Sequence, residues 1–480
     1  MESSWKQTVK LAPHNSLNGD LHTDVAVIGG GLAGILIAYF LKSQDIQTII
    51  LEANTIGSGQ TSGTTAKITS QHGLIYDKLI THFGKEKALQ YATANQNAIE
   101  YYRTLIQEHN IECEFEHYPA YIYSTLDSHS LQEEALAAKS LGIPATFVTQ
   151  THLPFSVEGA VKFDSQAQFH PLKFIQALSK DLTIYEHTPV NAVENERIFT
   201  DKGTVTAKDI IFACHYPFIN KPGYYFMRMH QERSYVVALK NAGKLDGMYL
   251  GIDPNGLSFR NNGEFLLLGG CGHRTGENST GGNYAYLQEK AKDFWPCSEE
   301  STHWSAQDCM TLDGIPYIGQ FSHSTPHWYV ATGFGKWGMS SSMVSAQIIS
   351  DLILGKTNDY AEVFSPLRFT ITESLKSSLD ESTHAIKSLS KQLFVKPSVE
   401  IDALPKGHGG IVEYEGEKVG VYKASTDETF IVSTRCPHLG CQLEWNPDEL
   451  SWDCPCHGSR FDFKGNLINN PAQTDLSTLS

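Results

Sequence analysis

Two segments near the C-terminal end of the chain combine cysteine and histidine at short, similar spacings. They read Cys436-Pro-His438-Leu-Gly-Cys441 and Cys454-Pro-Cys456-His457-Gly-Ser459. Thiolates and imidazoles at this spacing can hold a two-iron cluster, with the thiolates on one iron and the imidazoles on the other. Two cysteines and two histidines can also bind zinc, although zinc leaves Cys441 and Cys456 without a role. The residue types therefore predict a metal site and favour iron over zinc.

A second candidate site lies near the N-terminal end, where three glycines have the pattern Gly29-x-Gly31-x-x-Gly34. The pattern follows a predicted strand at 24–28 and opens a predicted helix at 35–42, and a second predicted strand at 47–51 leads to Glu52. The glycines allow a tight turn close to a pyrophosphate, the helix N-terminus supplies free N–H groups, and Glu52 can bind ribose hydroxyls. Together these features predict a dinucleotide-binding βαβ unit.

Three other segments indicate which dinucleotide is bound. The segment 57–67, Gly57-Ser-Gly-Gln-Thr-Ser-Gly-Thr-Thr-Ala-Lys67, resembles the second flavin-contact loop of the D-amino-acid, glycine and sarcosine oxidase (DAO) family. The segments 313–319 and 331–340 are similar to the C-terminal FAD motif of that family. The resemblance extends over about residues 23 to 360 and implies FAD instead of NAD, because a long flavin needs several separated backbone contacts. It implies FAD contacts at Gly29, Gly31, Leu32, Ala33, Gly34, Glu52, Ala53, Ser58, Thr61, Ser62, Lys67, Val190, Ala213, Asp313, Gly333, Gly335, Lys336, Trp337, Gly338 and Met339.

A further glycine cluster, Gly269-Gly-Cys-Gly272, follows an apolar run but precedes a polar segment rich in helix breakers. Since no helix N-terminus would face a phosphate there, we interpret it as a strand end and loop near the flavin. Without a second dinucleotide domain, NAD(P)H is a poor candidate for the electron donor. We expect electrons to enter from an organic substrate.

Residues 400–480 resemble the Rieske family, and the resemblance assigns roles within the two metal-binding segments. It implies that Cys436, His438, Cys454 and His457 bind a [2Fe-2S] cluster and that Cys441 and Cys456 form a disulfide. Ser459 matches a family serine that bonds a bridging sulfide, whereas Phe461 stands where the family has a tyrosine donor. We therefore expect a potential below that of respiratory Rieske proteins, within the family range of about −150 to +300 mV. Asn470-Pro-Ala matches the proline loop of the family, but so few residues follow that we expect the last strand to be short or missing.

The DAO resemblance implies that a hydride leaves the carbon next to the substrate nitrogen while a cation holds the substrate carboxylate. Ser340 stands where sarcosine oxidases have a lysine, so another residue must supply this cation. The candidates are Lys67, Arg260, His273, Arg274 and Lys336, and we predict catalytic roles for Lys67, His273, Arg274 and Lys336. Lys336 and Arg274 could instead be solvated loop charges, and Lys67 could serve the flavin instead of the substrate. Cys309 is expected to be an ordinary buried thiol.

These features predict an FAD-dependent dehydrogenase that oxidises a small organic substrate, an amine or amino acid. Electrons would pass from the flavin through the cluster to an external acceptor. An oxygen-using flavin oxidase and a non-catalytic flavin and iron-sulfur redox sensor are the alternatives. A Rieske oxygenase would need a separate iron site with two histidines and a carboxylate, and no such compact motif occurs in the sequence.

The composition is that of a globular protein, with 480 residues, 41% apolar and 19% charged. A formal charge of −16 argues against nucleic acid and anionic membrane surfaces as partners. The apolar run at 25–41 is short for a membrane span and contains glycines near its start, which favours a strand, a turn and a buried helix. The N-terminal residues do not resemble a secretory signal, so we expect a cytoplasmic location.

The predicted fold class is α/β, with a Rossmann-like FAD-binding domain of the glutathione-reductase type, an inserted antiparallel β substrate domain and an all-β Rieske domain. The predicted boundaries are an N-terminal arm at 1–22, the FAD-binding domain at 23–85, 146–225 and 306–360, the substrate domain at 86–145 and 226–305, a helical linker at 361–398 and the Rieske domain at 399–480. Residues 74–145 are expected to be helical, 225–305 to form strands and turns, and 343–354 to form a helix ended by Gly355.

Overall fold

A computed structural model of the chain describes residues 2–368, 403–426 and 428–478. Its strands, in chain order, are β1 (Leu21–Ile28), β2 (Thr48–Leu51), β3 (Lys67–Ile68), β4 (Glu116–Ser124), β5 (Ala145–Val148), β6 (Gly159–Gln168), β7 (Thr183–Tyr185), β8 (Val190–Glu194), β9 (Arg197–Thr200), β10 (Gly203–Phe212), β11 (Met229–Lys240), β12 (Met248–Gly251), β13 (Ser258–Asn262), β14 (Phe265–Arg274), β15 (Glu299–Thr311), β16 (Tyr317–Ser322), β17 (Thr325–Thr332), β18 (His408–Tyr414), β19 (Glu417–Lys423), β20 (Thr429–Ser433), β21 (Glu444–Asn446), β22 (Ser451–Asp453), β23 (Arg460–Asp462) and β24 (Leu467–Asn469).

The α-helices are α1 (Ser4–Thr8), α2 (Leu32–Lys42), α3 (Gln60–Gly63), α4 (Tyr76–Glu108), α5 (His129–Ser140), α6 (Pro171–Leu178), α7 (Asn283–Phe294), α8 (Gly338–Ile353) and α9 (Ala361–Phe364). Within the described ranges, no helix has the length and apolar character needed to span a bilayer. The helix predicted at 343–354 corresponds to α8, which begins a few residues earlier, and α2 extends the helix predicted after the glycine turn.

The first sheet has eight strands, and its main path runs β16-β17-β10-β1-β2-β7. Strand β1 pairs in parallel with β2 and β10, so that Val25 lies between Thr48 and Asp209. Residues 25–28 are buried, as expected for a parallel strand covered on both faces. Helices α2 and α8 pack against each other on this sheet, and α4 packs on α8. This sheet carries the predicted βαβ unit.

The second sheet has nine strands, and its main path runs β15-β11-β14-β13-β12-β4-β6-β3, with β5 paired to β6. It is antiparallel except where β12 and β4 run in parallel. Strand β4 interrupts the region expected to be helical, because its residues 120–124 form a run that the fold buries. Helix α7 likewise interrupts the region expected to contain only strands and turns.

The sheet topology suggests different domain boundaries in one place. Strand β6, which the predicted boundaries assign to the FAD-binding domain, pairs with β4 over most of its length. Helix α4 is interrupted at Gly84, whose φ of +81 and ψ of +162 are not helical, so the chain kinks next to the predicted boundary at residue 85. We therefore propose that residues 159–168 belong to the second sheet, because interstrand hydrogen bonds fix them there. The rest of the predicted division stays a prediction.

The C-terminal region contains a three-stranded sheet, β18-β19-β20, and a four-stranded sheet, β21-β22-β23-β24. After β24 the chain returns to β20, where Thr478 forms an isolated bridge with Val432. Within the described residues this contact is a single bridge, and the expectation of a short or missing last strand stays a prediction. Most of the helical linker predicted at 361–398 lies outside the described residues.

Candidate functional site

The glycine turn after β1 has the geometry of a phosphate-binding turn. A Cβ atom on Gly34 would lie 2.0 Å from the carbonyl oxygen of Gly29, so the turn closes only with glycine at this position. At the end of β2, the Glu52 carboxylate accepts hydrogen bonds from the N–H groups of Gly30 at 2.7 Å and Asn54 at 2.8 Å. Burial raises the pKa of Glu52. These contacts hold the carboxylate beside the turn, where a ribose would lie, so the site fits a dinucleotide.

A cavity of about 810 Å³ begins at this turn and extends to the start of α8 and to strands β11, β14 and β15. Its size is within the usual range for cofactor sites. Fifteen of the predicted FAD contacts line it, and they come from five separate parts of the sequence. They are Gly29, Gly31, Leu32, Ala33, Glu52, Ala53, Ser58, Thr61, Lys67, Val190, Ala213, Lys336, Trp337, Gly338 and Met339. One continuous cavity thus collects backbone and side-chain contacts suited to an extended flavin.

Five predicted FAD contacts do not line the cavity. Gly34 packs under the turn, and the Ser62 hydroxyl bonds back to the carbonyls of Ser58 and Gly59. The Asp313 carboxylate forms an ion pair with Arg368, at 2.9 Å. The remaining two, Gly333 and Gly335, support neighbouring loops, since Gly335 donates its N–H to the carbonyl of Cys309. These five residues lie outside the cavity lining, which spacing along the chain did not reveal.

Two lysines line the cavity, and both are engaged by neighbours. The ammonium group of Lys67 donates to the Tyr249 carbonyl at 2.8 Å and to the Ser258 hydroxyl. Burial, with a contribution from the nearby Arg260, lowers the pKa of Lys67 to about 7. Lys336 forms an ion pair with Glu232 at 2.8 Å. Both positions agree with sites that touch flavin or substrate, but Lys336 is ion-paired and Lys67 already donates two hydrogen bonds to neutral groups.

Three other cation candidates do not line the cavity. Arg260 is buried behind Lys67, where it donates to the side chain of Gln168 at 2.9 Å and to the carbonyl of Phe169 at 3.0 Å. The predicted catalytic roles of His273 and Arg274 are not supported by their positions. Arg274 donates to the carbonyls of Pro455 at 3.0 Å and Cys456 at 3.2 Å, which belong to the metal-binding region.

His273 lies beside Arg274 on the same strand. One nitrogen of its ring lies 3.0 Å from the Tyr235 hydroxyl and the other 2.7 Å from the carbonyl of Arg274. The strand ends at Arg274, whose side chain contacts the C-terminal region, and neither residue lines the cavity.

The two metal-binding loops lie between β20 and β21 and between β22 and β23. The imidazole rings of His438 and His457 are perpendicular, with centroids 4.9 Å apart. His438 donates from Nε2 to the Asn220 side chain at 2.8 Å, and its buried Nδ1 has no hydrogen-bond partner within the described residues. That tautomer leaves Nδ1 deprotonated and available to a metal.

The cysteines of these loops fall into two groups. Cys436 and Cys454 are buried free thiols, and Cys441 is joined to Cys456 by the disulfide that the resemblance implies. The Sγ atom of Cys454 lies within 4.8 Å of both disulfide sulfurs, so the disulfide holds the two loops together beside the candidate ligands. Two free thiols and two imidazoles on facing loops fit the four ligands of a two-iron cluster.

Two neighbours of the cluster loops distinguish this site further. The Ser459 hydroxyl donates to the Cys436 sulfur and accepts from the N–H of Ala472 at 2.9 Å. Phe461 is fully buried in β23. One hydroxyl donor to sulfur is therefore in place, and the position of the expected second donor is apolar.

Strands β11 and β15 separate the cavity from the cluster loops. Side chains alternate along paired strands, and here the two faces carry different partners. Glu232, Ser234, Ala306 and Asp308 line the cavity. On the opposite face, Gln307 donates to the carbonyl of Gly458 at 2.8 Å, and Gln231 donates to the carbonyl of His457 at 2.7 Å. A single sheet layer thus lies between the two candidate sites.

The C-terminal region packs closely against strand β11 at the second cluster loop. Gly458 has φ +82, and a Cβ atom there would lie 2.6 Å from the Cβ of Gln231. Arg233, on the same strand, forms an ion pair with Glu449 at 3.0 Å and is almost fully buried. From the other side, the ring of Phe226 packs edge-on against His457, with centroids 5.8 Å apart. These contacts fix the C-terminal region on the back of the cavity wall.

The cavity also contains residues that motif analysis missed. Glu232, Ser258 and Asp308 line it without belonging to any glycine-rich motif, as do residues 467–470 and 472–473 from the C-terminal region. Strand periodicity could have indicated Asp308, because it is a charged residue on the face opposite Gln307. The contribution of residues 467–473 depends on packing between distant parts of the chain, and the sequence carries no local signal for it.

Comparisons with known proteins agree with this geometry. Residues 24–352 match the family of FAD dependent oxidoreductases (DAO), and residues 394–480 match the Rieske [2Fe-2S] domain. The chain is 37% identical over 495 residues to YhfW of Bacillus subtilis, described as a Rieske 2Fe-2S iron-sulfur protein, with 100% of this chain and 97% of that protein covered.

Solved structures with a similar fold include glycine oxidase from Geobacillus kaustophilus, with a TM-score of 0.63 at 19% identity, covering 73% of this chain and 100% of that chain. L-proline dehydrogenase from P. horikoshii has a TM-score of 0.62 at 18% identity, covering 73% and 98%. These similarities confirm the predicted fold class. The family matches also confirm FAD and a [2Fe-2S] cluster as the cofactors, and they exclude the zinc alternative. The chain belongs to the DAO family of FAD-dependent oxidoreductases and carries a Rieske [2Fe-2S] domain in its C-terminal region.

Proposed function

We propose that this oxidoreductase is a dehydrogenase that removes electrons from a small organic amine or amino acid and passes them through the Rieske cluster to an external acceptor. Bound FAD supplies a two-electron acceptor, and the cluster supplies a one-electron carrier. The observation that supports the proposal is the arrangement of β11 and β15, whose two faces carry the flavin cavity and the cluster loops. A short path of bonds therefore connects the two sites.

The residues of that path hold the cluster loops in one position. Gln307 donates both to the Gly458 carbonyl and, at 2.7 Å, to the side chain of Gln231, which in turn donates to the His457 carbonyl. On the other side of the cluster site, Asn220 accepts a hydrogen bond from His438. These bonds come from the flavin domain and end on the two loops that would hold the cluster. Such preorganisation favours transfer within one chain.

The proposed substrate class is supported by the names of two structural relatives. Glycine oxidase and L-proline dehydrogenase are both named for an amino acid substrate. Lys67 and Lys336 line the cavity where substrate contacts would be expected.

We also propose a cytoplasmic location for the protein. Among the described residues, more cysteines are free thiols than are joined in the disulfide, which supports this location.

Anaerobic photoreduction of the flavin, followed by rapid freezing, tests the transfer. We expect flavin oxidation and the appearance of the reduced-cluster EPR signal to follow the same time course. The variant Gln307→Leu should slow this step, whereas Gln132→Leu, on the exposed face of α5, should not. A reduced flavin that persists beside an oxidised cluster would contradict the transfer. Faster reaction of that flavin with oxygen than with the cluster, measured after air is admitted, would support an oxidase. Cofactors that reduce chemically but never turn over with any amine or amino acid would support a redox sensor.

A further inference from the structure

The flavin cavity contains one charged side chain that its neighbours do not satisfy. The charged residues that line the cavity are Glu52, Lys67, Glu232, Asp253, Asp308 and Lys336, and no arginine of the described residues is among them. Glu52 accepts two backbone N–H bonds, and Asp253 accepts from the N–H and hydroxyl of Thr125. The Lys336 ammonium is paired with Glu232.

Asp308 differs from this group. Within the described part of the chain, no hydrogen bond or ion pair reaches its carboxylate, although it lies on β15 directly across from Glu232 on β11. A carboxylate without a partner in a partly dehydrated cavity is costly, and a bound cation or hydrogen-bond donor relieves that cost. Its surroundings therefore favour a ligand that brings a positive charge.

The cavity offers a negatively charged ligand few cationic side chains to bind. Lys336 is neutralised by Glu232, and the charge of Lys67 is weakened because burial lowers its pKa to about 7. Arg260, the next cation behind Lys67, does not line the cavity and already donates to Gln168 and Phe169. A substrate carboxylate would thus meet no unpaired guanidinium of the described residues, while a substrate ammonium would meet an unpaired carboxylate.

We infer that Asp308 is the specificity residue that binds the ammonium group of the substrate, and that the substrate is a cationic amine without a carboxylate on the carbon next to nitrogen. The inference rests on the proposed function, and it narrows the substrate class of that site from amines and amino acids to amines. Other charged groups near Asp308 are Glu232, Lys336 and Arg233, whose guanidinium lies on the opposite face of the sheet. Lys336 is paired with Glu232 and Arg233 with Glu449, so neither cation forms an ion pair with Asp308.

Binding to the oxidised, FAD-loaded enzyme tests the inference with tert-butylamine and 2-aminoisobutyrate. The two compounds differ by exchange of one methyl group for a carboxylate, and neither has a hydrogen on the carbon next to nitrogen that could be removed. Their dissociation constants follow from the perturbation of the flavin absorbance and from equilibrium dialysis. We expect tert-butylamine to bind more tightly. Asp308→Asn should weaken its binding by about 10-fold or more, because a charge-assisted hydrogen bond is lost.

Two controls keep the result interpretable. Asp308→Glu retains the charge and should bind tert-butylamine within a few-fold of the unmodified enzyme. Glu299→Gln removes an exposed carboxylate from the start of the same strand and should have no effect. Tighter binding of 2-aminoisobutyrate, equal binding of tert-butylamine by Asp308→Asn, or no binding of either compound would overturn the inference. Because the assay uses oxidised enzyme, failure of electron transfer to the cluster would leave its result unchanged and would count against the proposed function alone.

Discussion

The ion pair between Arg233 and Glu449 should carry much of the energy that holds the Rieske domain on the flavin domain. The Arg233 side chain is 2% exposed and that of Glu449 is 18% exposed, with nitrogen and oxygen 3.0 Å apart. Burial tends to raise the pKa of Glu449, but the guanidinium groups of Arg233 and Arg460 outweigh it and lower this pKa. The carboxylate is therefore charged at neutral pH and depends on both arginines.

Substitution of Arg233 by Met leaves Glu449 buried, with Arg460 still 3.5 Å away. Removing one partner of a fully buried pair costs about 3–5 kcal/mol, and the remaining arginine places this case at the lower end, at about 3 kcal/mol. The double variant Arg233→Met, Glu449→Met leaves no unpaired charge at this contact, because Arg460 retains Asp453 at 2.9 Å. We expect the double variant to lose roughly 2 kcal/mol less unfolding free energy than the sum of the losses in the two single variants.

Urea unfolding measures these energies, with the visible circular dichroism of the cluster and the fluorescence of the flavin followed separately. The exposed pair of Arg103 and Glu100, 2.7 Å apart on α4, serves as a matched control and should show little or no coupling. A coupling between Arg233 and Glu449 no larger than that of the control would refute the reasoning. It would mean that shape, and not this charge pair, fixes the two domains.

Gly34→Ala should yield protein with little or no bound FAD, as measured by flavin absorbance per protein, because its Cβ would meet the Gly29 carbonyl at 2.0 Å; retention of full flavin content would contradict the role of the turn. Ser459→Ala should lower the cluster potential by roughly 60–130 mV in protein-film voltammetry, since the hydroxyl bond to the Cys436 sulfur stabilises the reduced cluster. Burial raises the pKa of Asp308 to about 6, so its carboxylate gains charge as pH rises through that value. Binding of tetramethylammonium, whose charge does not titrate, should strengthen roughly tenfold between pH 5 and 7, and a pH-independent affinity would count against Asp308 as the ammonium site.

Local sequence was sufficient to identify both cofactors. The glycine turn and Glu52 lie within one βαβ unit, where backbone geometry alone restricts which residues can occupy each position. The Cys-x-His and Cys-x-x-His loops are equally local, because the metal chemistry requires thiolates and imidazoles at short spacing. The fold class followed from the same motifs. Strand β4 and helix α7 were missed because tertiary burial, and not local periodicity, determines them.

Only the tertiary structure decided how the sites relate to each other. His273 and Arg274 have the residue types of substrate-binding cations, yet the contact with the Rieske domain directs Arg274 to the carbonyls of Pro455 and Cys456. Asp308 has no motif around it and gains its place in the cavity from the strand pairing of β11 with β15. The types and spacing of residues determined which cofactors the chain can bind. The pairing of distant strands determined which side chains face them, because alternation along a strand assigns a face only after its neighbours are fixed.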